Sequence, residues 1–390
     1  MKDEKRKSNF PFGFLGAKSY IHREPLGVVG MISPWNFPMY LSLAPLAGIF
    51  SAGNQVMHKP SEFTPITSEL LKEICDSAFD ETEFATFLGG PDIGAAFTQL
   101  KFDHLLFTGS GNIGKHVMRA ASENLVPLTL ELGGKSPVIV SDSSNIDITA
   151  RRVMFNKTLN AGQICLAPDY VYVHETEKDN FVEACKNQVN EFYSDLKYNP
   201  DYTSVINQKH YDRLNGLLAD AKDHGAELVE INPANEDFSQ QESHKIPPTL
   251  VLNPTDEMQI MKEEIFGPLL PIKTYKDINE PINYINKNDK PLGLYYFGNN
   301  KNEEAKVVNS TTSGGVTVND IMGHIQQNEL GFGGVGPSGM GKYDGFDGFM
   351  NFSNNKPIYK QIGFGLDKLL DAIRPPYKGN IEDVLKKLLK

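Results

Sequence analysis

Between Leu26 and Asp142, short apolar runs alternate with segments of helical spacing, and this alternation constrains the fold more than any other feature. "LGVVGMI" (Leu26–Ile32) reads as a buried strand, followed by a small-residue helix over "MYLSLAPLAGIFSAG". "QVMHK" is strand-like, and "TPITSELLKEICDSAF" has helical spacing with a Thr cap and Pro65 in its first turn. "FATFLG" and "DHLLFTGS" predict two more strands, the second leading into the helix "GNIGKHVMRAASE". Strands joined through helices run parallel, so the expected product is an α/β unit whose sheet is covered on both faces.

From "VPLTLEL" onward the pattern repeats with other lengths. "DYVYVH", "LLPIKTY", "PLGLYYFG" and "GGVTVN" predict strands, "EKDNFVEACKNQVNEFY" an amphipathic helix, and Asn232–Lys245 a polar surface loop. A chain of 390 residues exceeds one compact core and suits two domains. At the end, "NIEDVLKKLLK" sets Ile381, Val384, Leu385, Leu388 and Leu389 on one helical face, expected to lie on the body of the protein.

Charge and cysteine usage exclude several function classes. A net charge of −11 argues against nucleic-acid or anionic-membrane partners, which need a basic face. No apolar run approaches the ~18 residues that span a bilayer. The start, "MKDEKRKSNFPFGFLG", lacks the apolar core of a signal peptide, and Asp3 and Glu4 weaken a mitochondrial reading. Three cysteines form no disulfide framework, so a reduced, cytoplasmic protein is expected; nine scattered histidines form no metal-ligand motif.

Several positions carry chemistry. In "LTLELGGKSP", Glu131 sits inside an apolar strand, where burial raises a carboxyl toward the range useful to a general base. A salt-bridged glutamate at a strand end is the plainer reading of that segment alone. Cys165 follows 34 residues later in "LNAGQICLAPDY", between small residues and a proline; Cys75 and Cys185 fall in amphipathic helices and read as packing residues. "SPWNFP" fixes Asn36 between two prolines, where a rigid amide can meet a developing oxyanion. "HKPSEFTP" places Lys59 and Glu62 at a strand end, where α/β sheets bind nucleotides. "FTGSGNIG", with Gly109, Ser110 and Gly114, opens a helix whose free amides suit a pyrophosphate, although its spacing is not the GxGxxG fingerprint.

These segments, in this order, resemble the aldehyde dehydrogenase superfamily: "PWNFP", "KPSE", "FTGS", "LELGGKSP", "GQIC", "EEIFGP" and "FGGVGPSGMG". "LNAGQICLAPDYV", "NPDYT", "TTSGGVTVND" and "RPPY" look most like its coniferyl aldehyde branch, near the class 3 and fatty aldehyde enzymes. The resemblance implies an N-terminal segment and β arm over 1–24 and a Rossmann-type NAD(P)-binding domain over 25–131. It further implies an α/β catalytic domain over 132–335, then a C-terminal return, arm strand and helix over 336–390. The arm should pair "AKSYIHREP" with "FMNFSNNKPIY", and its unpaired edges suggest a homodimer, or a tetramer.

The implied activity is oxidation of an aldehyde, aromatic such as coniferyl aldehyde or medium-chain aliphatic, to the acid. Cys165 matches the nucleophile, Glu131 the base that activates water, and Asn36 the oxyanion donor beside the Cys165 N–H. Lys59 and Glu62 match the adenosine-ribose pair, and Gly109, Ser110 and Gly114 the pyrophosphate turn. Glu264 matches the grip on the nicotinamide ribose, with Phe266 and Trp35 beside it and the Leu132 backbone at the carboxamide. NAD is expected to be preferred and NADP tolerated. Glu263 is expected to be solvent-facing or structural, and Asn319 to support the chamber. Two departures stand out: Gly111 where threonine is usual, and Asp344 where the branch often has histidine. The family's chains also normally begin several tens of residues earlier. A thioester handed to coenzyme A and a catalytically impaired paralogue serving as a binding or assembly subunit are the alternatives. Glu131 counts against the first, and the intact Cys165, Glu131 and Asn36 against the second.

Overall fold

The structure is a computed structural model that describes residues 3–10, 12–362, 375 and 381–388. It divides into two compact units: Leu26–Phe352, and a unit made from the two ends of the chain, Met1–Pro25 with Ser353–Lys390.

Within the larger unit lie two sheets. In the first the strands run, in spatial order, Gly339–Met340, Leu128–Glu131, His104–Thr108, Val28–Ile32, Gln55–Lys59 and Phe84–Thr86. All pairs are parallel except the short Gly339–Met340 edge. The chain starts in the middle with Val28–Ile32, builds outward through Gln55–Lys59 and Phe84–Thr86, then crosses back to lay His104–Thr108 on the other side. The carboxyl ends of the strands on either side of that reversal form the crevice where α/β sheets take nucleotides. Lys59, Thr108 and Glu131 are the last residues of their strands and therefore border it.

The second sheet runs Glu227–Glu230, Thr249–Leu252, Leu269–Tyr275, Tyr170–His174, Pro137–Val140, Gly293–Phe297 and Gly315–Val318. Only Glu227–Glu230, at one edge, is antiparallel. Its central strands are apolar throughout because helices cover both faces: Pro137–Val140, Thr249–Leu252 and Gly293–Phe297 are wholly buried. The fold class is α/β, as the alternating pattern requires.

One expected element divides. "MYLSLAPLAGIFSAG" forms two helices, Pro38–Leu43 and Leu46–Ser51, rather than one. Pro45 lies at the break; it has no N–H to donate, and its ring crowds the carbonyl one turn earlier. The loop expected over Asn232–Lys245 is free of helix and strand.

The unit formed by the chain ends carries a three-stranded antiparallel sheet, Glu4–Arg6, Lys18–Pro25 and Ser353–Lys360. Pro25 faces Ser353 and Lys18 faces Lys360, so the arm pairs as the sequence predicts, with Glu4–Arg6 as an additional edge. Ile381–Leu388 is helical. The apolar face expected on that helix lies outside the described residues apart from Ile381, as does "RPPY" apart from Pro375.

Candidate active site

Cys165 follows the helix Ile146–Thr158 and a tight turn in which Asn160, Ala161 and Gly162 adopt φ of 50°, 51° and 71°. Glycine is required at the last of these: a Cβ on Gly162 would lie 2.3 Å from the Gly267 carbonyl oxygen. The turn is thereby pressed onto the "EIFGP" loop. Gln163 braces it, donating to the Asn160 and Ser204 carbonyls at 2.9 and 3.0 Å and accepting from the Ile206 N–H at 2.9 Å. Of the three cysteines, Cys75 and Cys185 are buried, and Cys165 alone is partly exposed.

Asn36 arrives from the other side. Its Nδ2 donates to the Gln163 carbonyl at 3.0 Å, and Asn160 Nδ2 donates to the Asn36 carbonyl at 3.0 Å. The pair of bonds sets the amide two residues before the thiol.

Two carboxyls share this region. Glu131 is 1% exposed, and neither of its oxygens finds a hydrogen-bond partner among the described residues. Burial, and then the negative charge of Asp344, holds it well above the usual carboxylate range. Glu264 is pushed up to about 8, by burial first and by Asp169 second, against the Gly134 N–H and Lys135. Its Oε1 also lacks a partner. Burial followed by the Glu131 and Glu264 charges raises the Cys165 thiol, while the Cys165 and Leu166 N–H groups favour the thiolate.

Glu264 owes its place to residues that sequence reasoning left aside. Lys135 pairs with the Asp169 carboxylate and donates to the Ile260 and Glu263 carbonyls at 2.8 and 2.9 Å. Asp169 Oδ2 accepts from the Ile265 N–H at 2.9 Å. A charge in "GGKSP" and another in "APDY", each beside an apolar strand, was the available signal. Tyr295 adds a further brace, its hydroxyl donating to the Leu166 carbonyl at 2.7 Å.

The expected cofactor residues lie along the crevice. Lys59 is buried and its Nζ meets Glu62 Oε2 at 2.8 Å. Gly109 and Ser110 follow the strand His104–Thr108, and Ser110 caps the helix Gly111–Ser122, accepting from the Ile113 N–H. Gly114 packs against Leu132, where a Cβ would lie 2.9 Å from Leu132 Cδ2. The space beside Gly111 is open, with nothing within 4 Å of a Cβ built there. Leu132 donates its N–H to the Ser338 carbonyl at 3.1 Å. Trp35 meets Phe266 edge-on, with ring centroids 5.5 Å apart.

Two residues given lesser roles are structural. Glu263 is half-exposed and pairs with Arg213 at 3.2 Å. Asn319, at φ 57°, clips Gly298 with two hydrogen bonds of 2.9 and 3.0 Å.

A partly exposed thiol, a buried carboxyl without a partner among the described residues and a crevice at the strand ends fit an oxidoreductase site, and comparison with known proteins agrees. The aldehyde dehydrogenase family model matches residues 2–358. The chain is 54% identical over 386 residues to a probable coniferyl aldehyde dehydrogenase of Caulobacter vibrioides, spanning 99% of this chain and 79% of that relative. It is similar to a substrate-bound structure of Staphylococcus aureus AldH, with a TM-score of 0.90 at 39% identity over 100% of this chain and 82% of that one. A betaine aldehyde dehydrogenase from Staphylococcus aureus in complex with NAD+ gives a TM-score of 0.83 at 27% identity, over 93% and 72%. The chain belongs to the aldehyde dehydrogenase family. It is an NAD(P)-dependent oxidoreductase that converts aldehydes to carboxylic acids.

Proposed function

We propose that Cys165 attacks the aldehyde carbon and carries the acyl group, and that Glu131 activates the water that releases it. The observation that carries this reading is that Cys165, the one cysteine left partly exposed, lies within electrostatic reach of Glu131, a buried carboxyl whose two oxygens have no partner among the described residues. The thiolate adds to the carbonyl, and the resulting oxyanion is met by the Asn36 amide and the Cys165 N–H. Bound NAD(P)+ would supply the hydride acceptor for oxidation of the thiohemiacetal to the thioester. Glu131 then takes a proton from water as its oxygen adds to the thioester carbon, and the Cys165 thiolate leaves, releasing the acid. Cys165→Ala should abolish aldehyde oxidation with cofactor binding retained, and Cys75→Ala should leave turnover near that of the unsubstituted protein. Substantial dehydrogenase activity in Cys165→Ala would contradict the mechanism.

The crevice fits NAD(P) on its own observations. Glu264 presents a buried oxygen with no partner, Lys59 and Glu62 sit paired at a strand end, and the Gly111–Ser122 helix opens behind Gly109 and Ser110. Lys59 and Glu62 would hold the adenosine ribose, Glu264 the nicotinamide ribose, and Trp35 and Phe266 its apolar side. With the Leu132 N–H committed to Ser338, its carbonyl is the group left for the carboxamide. The carboxylate of Glu62 favours NAD over NADP. We read 25–131 as the cofactor domain and 132–335 as the catalytic domain.

Similarity to the coniferyl enzymes supports an aromatic aldehyde as substrate, with medium-chain aliphatic aldehydes as the second class. An aldehyde panel with NAD and NADP tests both assignments. The three-stranded arm, with an exposed eight-residue edge at Ser353–Lys360, supports a homodimer, to be checked by light scattering. Three free cysteines support a reduced, cytoplasmic setting.

A further inference from the structure

The Asn36 amide takes its aim from a loop. That loop runs from Ser33 through Pro34 to Asn36, and at Pro38 it enters the helix Pro38–Leu43. Six residues are too few for a helix to hold itself, and no side chain caps this one at Phe37. Its place is therefore set by what its buried face touches, and the buried residues on it are Leu41 and Ser42.

Ser42 Oγ lies 2.7 Å from Ser33 Oγ, and Ser33 Oγ lies 2.8 Å from His58 Nε2. The first bond closes the loop across its two ends, with Asn36 between them. The second ties the closed loop to the strand Gln55–Lys59. That strand pairs with Val28–Ile32 on one side and Phe84–Thr86 on the other, so the backbone of His58 is fixed from both sides. The Ser33 N–H adds a further tie, donating to the Lys59 carbonyl at 3.2 Å.

All three side chains are buried, and His58 Nδ1 has no hydrogen-bond partner among the described residues. Such a cluster gives up solvation that an apolar core would not, and what it returns is a fixed geometry. Burial, and then the Lys59 charge, lowers His58 to about 3, so the ring stays neutral and the clasp does not switch at neutral pH. Beyond the loop, Asn36 Nδ2 spends one N–H on the Gln163 carbonyl at 3.0 Å, which leaves its second N–H for the oxyanion. A shift of the loop is thus a shift of that donor against the carbon bound to Cys165.

We infer that Ser33, Ser42 and His58 are positioning residues: their hydrogen-bonded clasp holds the Asn36 amide where the oxyanion develops. The inference rests on the reading of Asn36 as the oxyanion donor.

The test mixes the full chain with NAD+ and an aromatic aldehyde and measures, by stopped flow, the rate at which reduced cofactor appears in the first turnover. Asn36→Ala should lower that rate about a hundredfold or more, the usual loss for one oxyanion donor. Ser42→Ala should lower it about tenfold, with the Michaelis constant for NAD held within about twofold, because a misplaced group costs rate rather than cofactor binding. In the Asn36→Ala background, adding Ser42→Ala should change the rate less than about twofold, since the group it aims is gone. Alkylation of Cys165 by iodoacetamide develops no oxyanion, so Ser42→Ala should leave its rate unchanged. Ser33→Ala and His58→Leu break the same clasp at other points and should repeat the pattern, which keeps the test decisive where one variant fails to fold. An unchanged first turnover in these variants overturns the inference. So does equal slowing with and without Asn36, or slowed alkylation, either of which marks a merely structural loosening. A first turnover unmoved by Asn36→Ala overturns it together with the reading of Asn36.

Discussion

Glu264 rests its carboxylate directly over Gly133: a Cβ at that glycine would lie 2.1 Å from Oε2 and 2.3 Å from Oε1. The second glycine-rich segment of the site is therefore a seat for a side chain 131 positions away in sequence. Gly133→Ala should displace Glu264 while sparing the fold, since the atom it strikes ends a flexible side chain. The expected outcome is a Michaelis constant for NAD raised about tenfold, ~1.4 kcal/mol of lost binding, with little change in Tm. Gly162→Ala makes the contrast. Its Cβ meets the Gly267 backbone from a φ of 71°, so Tm itself should drop by several degrees.

Glu264 also makes stability depend on pH. It ionises near 8 in the folded chain, against 4.5 for an ordinary glutamate. Between those values the unfolded chain has released a proton that the folded chain retains, so this group's contribution to stability falls as pH rises from about 4.5 to about 8. Glu264→Gln removes that loss. Thermal melts of the cofactor-free protein should show the variant a few degrees more stable than the unsubstituted chain at pH 8, with the difference shrinking toward pH 5. A constant difference across that range would place the carboxyl in water.

Lys135 anchors the loop that presents Glu264. Lys135→Met leaves Asp169 buried without its cation and frees the Ile260 and Glu263 carbonyls. Breaking a buried pair from one side costs about 3–5 kcal/mol, which chemical denaturation should register. Lys135→Met/Asp169→Asn should recover part of the loss, because the stranded charge is gone.

Much of this was legible in the sequence, and the limits were physical. The strands bordering the crevice are continuous apolar runs, so Val28–Ile32, Gln55–Lys59 and His104–Thr108 announce themselves. Pro137–Val140 and Thr249–Leu252 are only four residues long, and Glu227–Glu230 is a half-exposed edge, so none of the three gives a periodic signal. The break at Pro45 was readable from proline's missing N–H, yet small apolar residues on both sides gave it the look of one helix. The resemblance names Cys165 and Glu131 as the candidates. What no local pattern contains is closure across the chain: Gly162 on Gly267, Lys135 on Asp169, and Glu264 on Gly133. Those pairings follow from tertiary packing.

On the proposed reading, cofactor choice turns on Glu62. A carboxylate accepts from both ribose hydroxyls of NAD and repels the 2′-phosphate of NADP; at about 4 Å and an effective dielectric of 20, a unit pair is worth ~4 kcal/mol. Lys59, paired with Glu62 at 2.8 Å, offsets part of this. Glu62→Gln should narrow the gap between the cofactors about tenfold, mainly through a lower Michaelis constant for NADP. Equal efficiency with both cofactors in the unsubstituted protein, unmoved by the substitution, would take Glu62 away from the ribose.

The central claim is that Cys165 bears the acyl group and Glu131 releases it. Glu131→Gln removes the base and keeps the thiol, so one turnover should proceed to the thioester and stop. Intact-protein and peptide mass spectrometry of Glu131→Gln, quenched after mixing with NAD+ and an aromatic aldehyde, measures this directly. The account predicts a single burst of reduced cofactor, matched by a stoichiometric acyl adduct on the peptide containing Cys165, with steady turnover collapsed. Full steady turnover in Glu131→Gln, or an adduct on a residue other than Cys165, would contradict it.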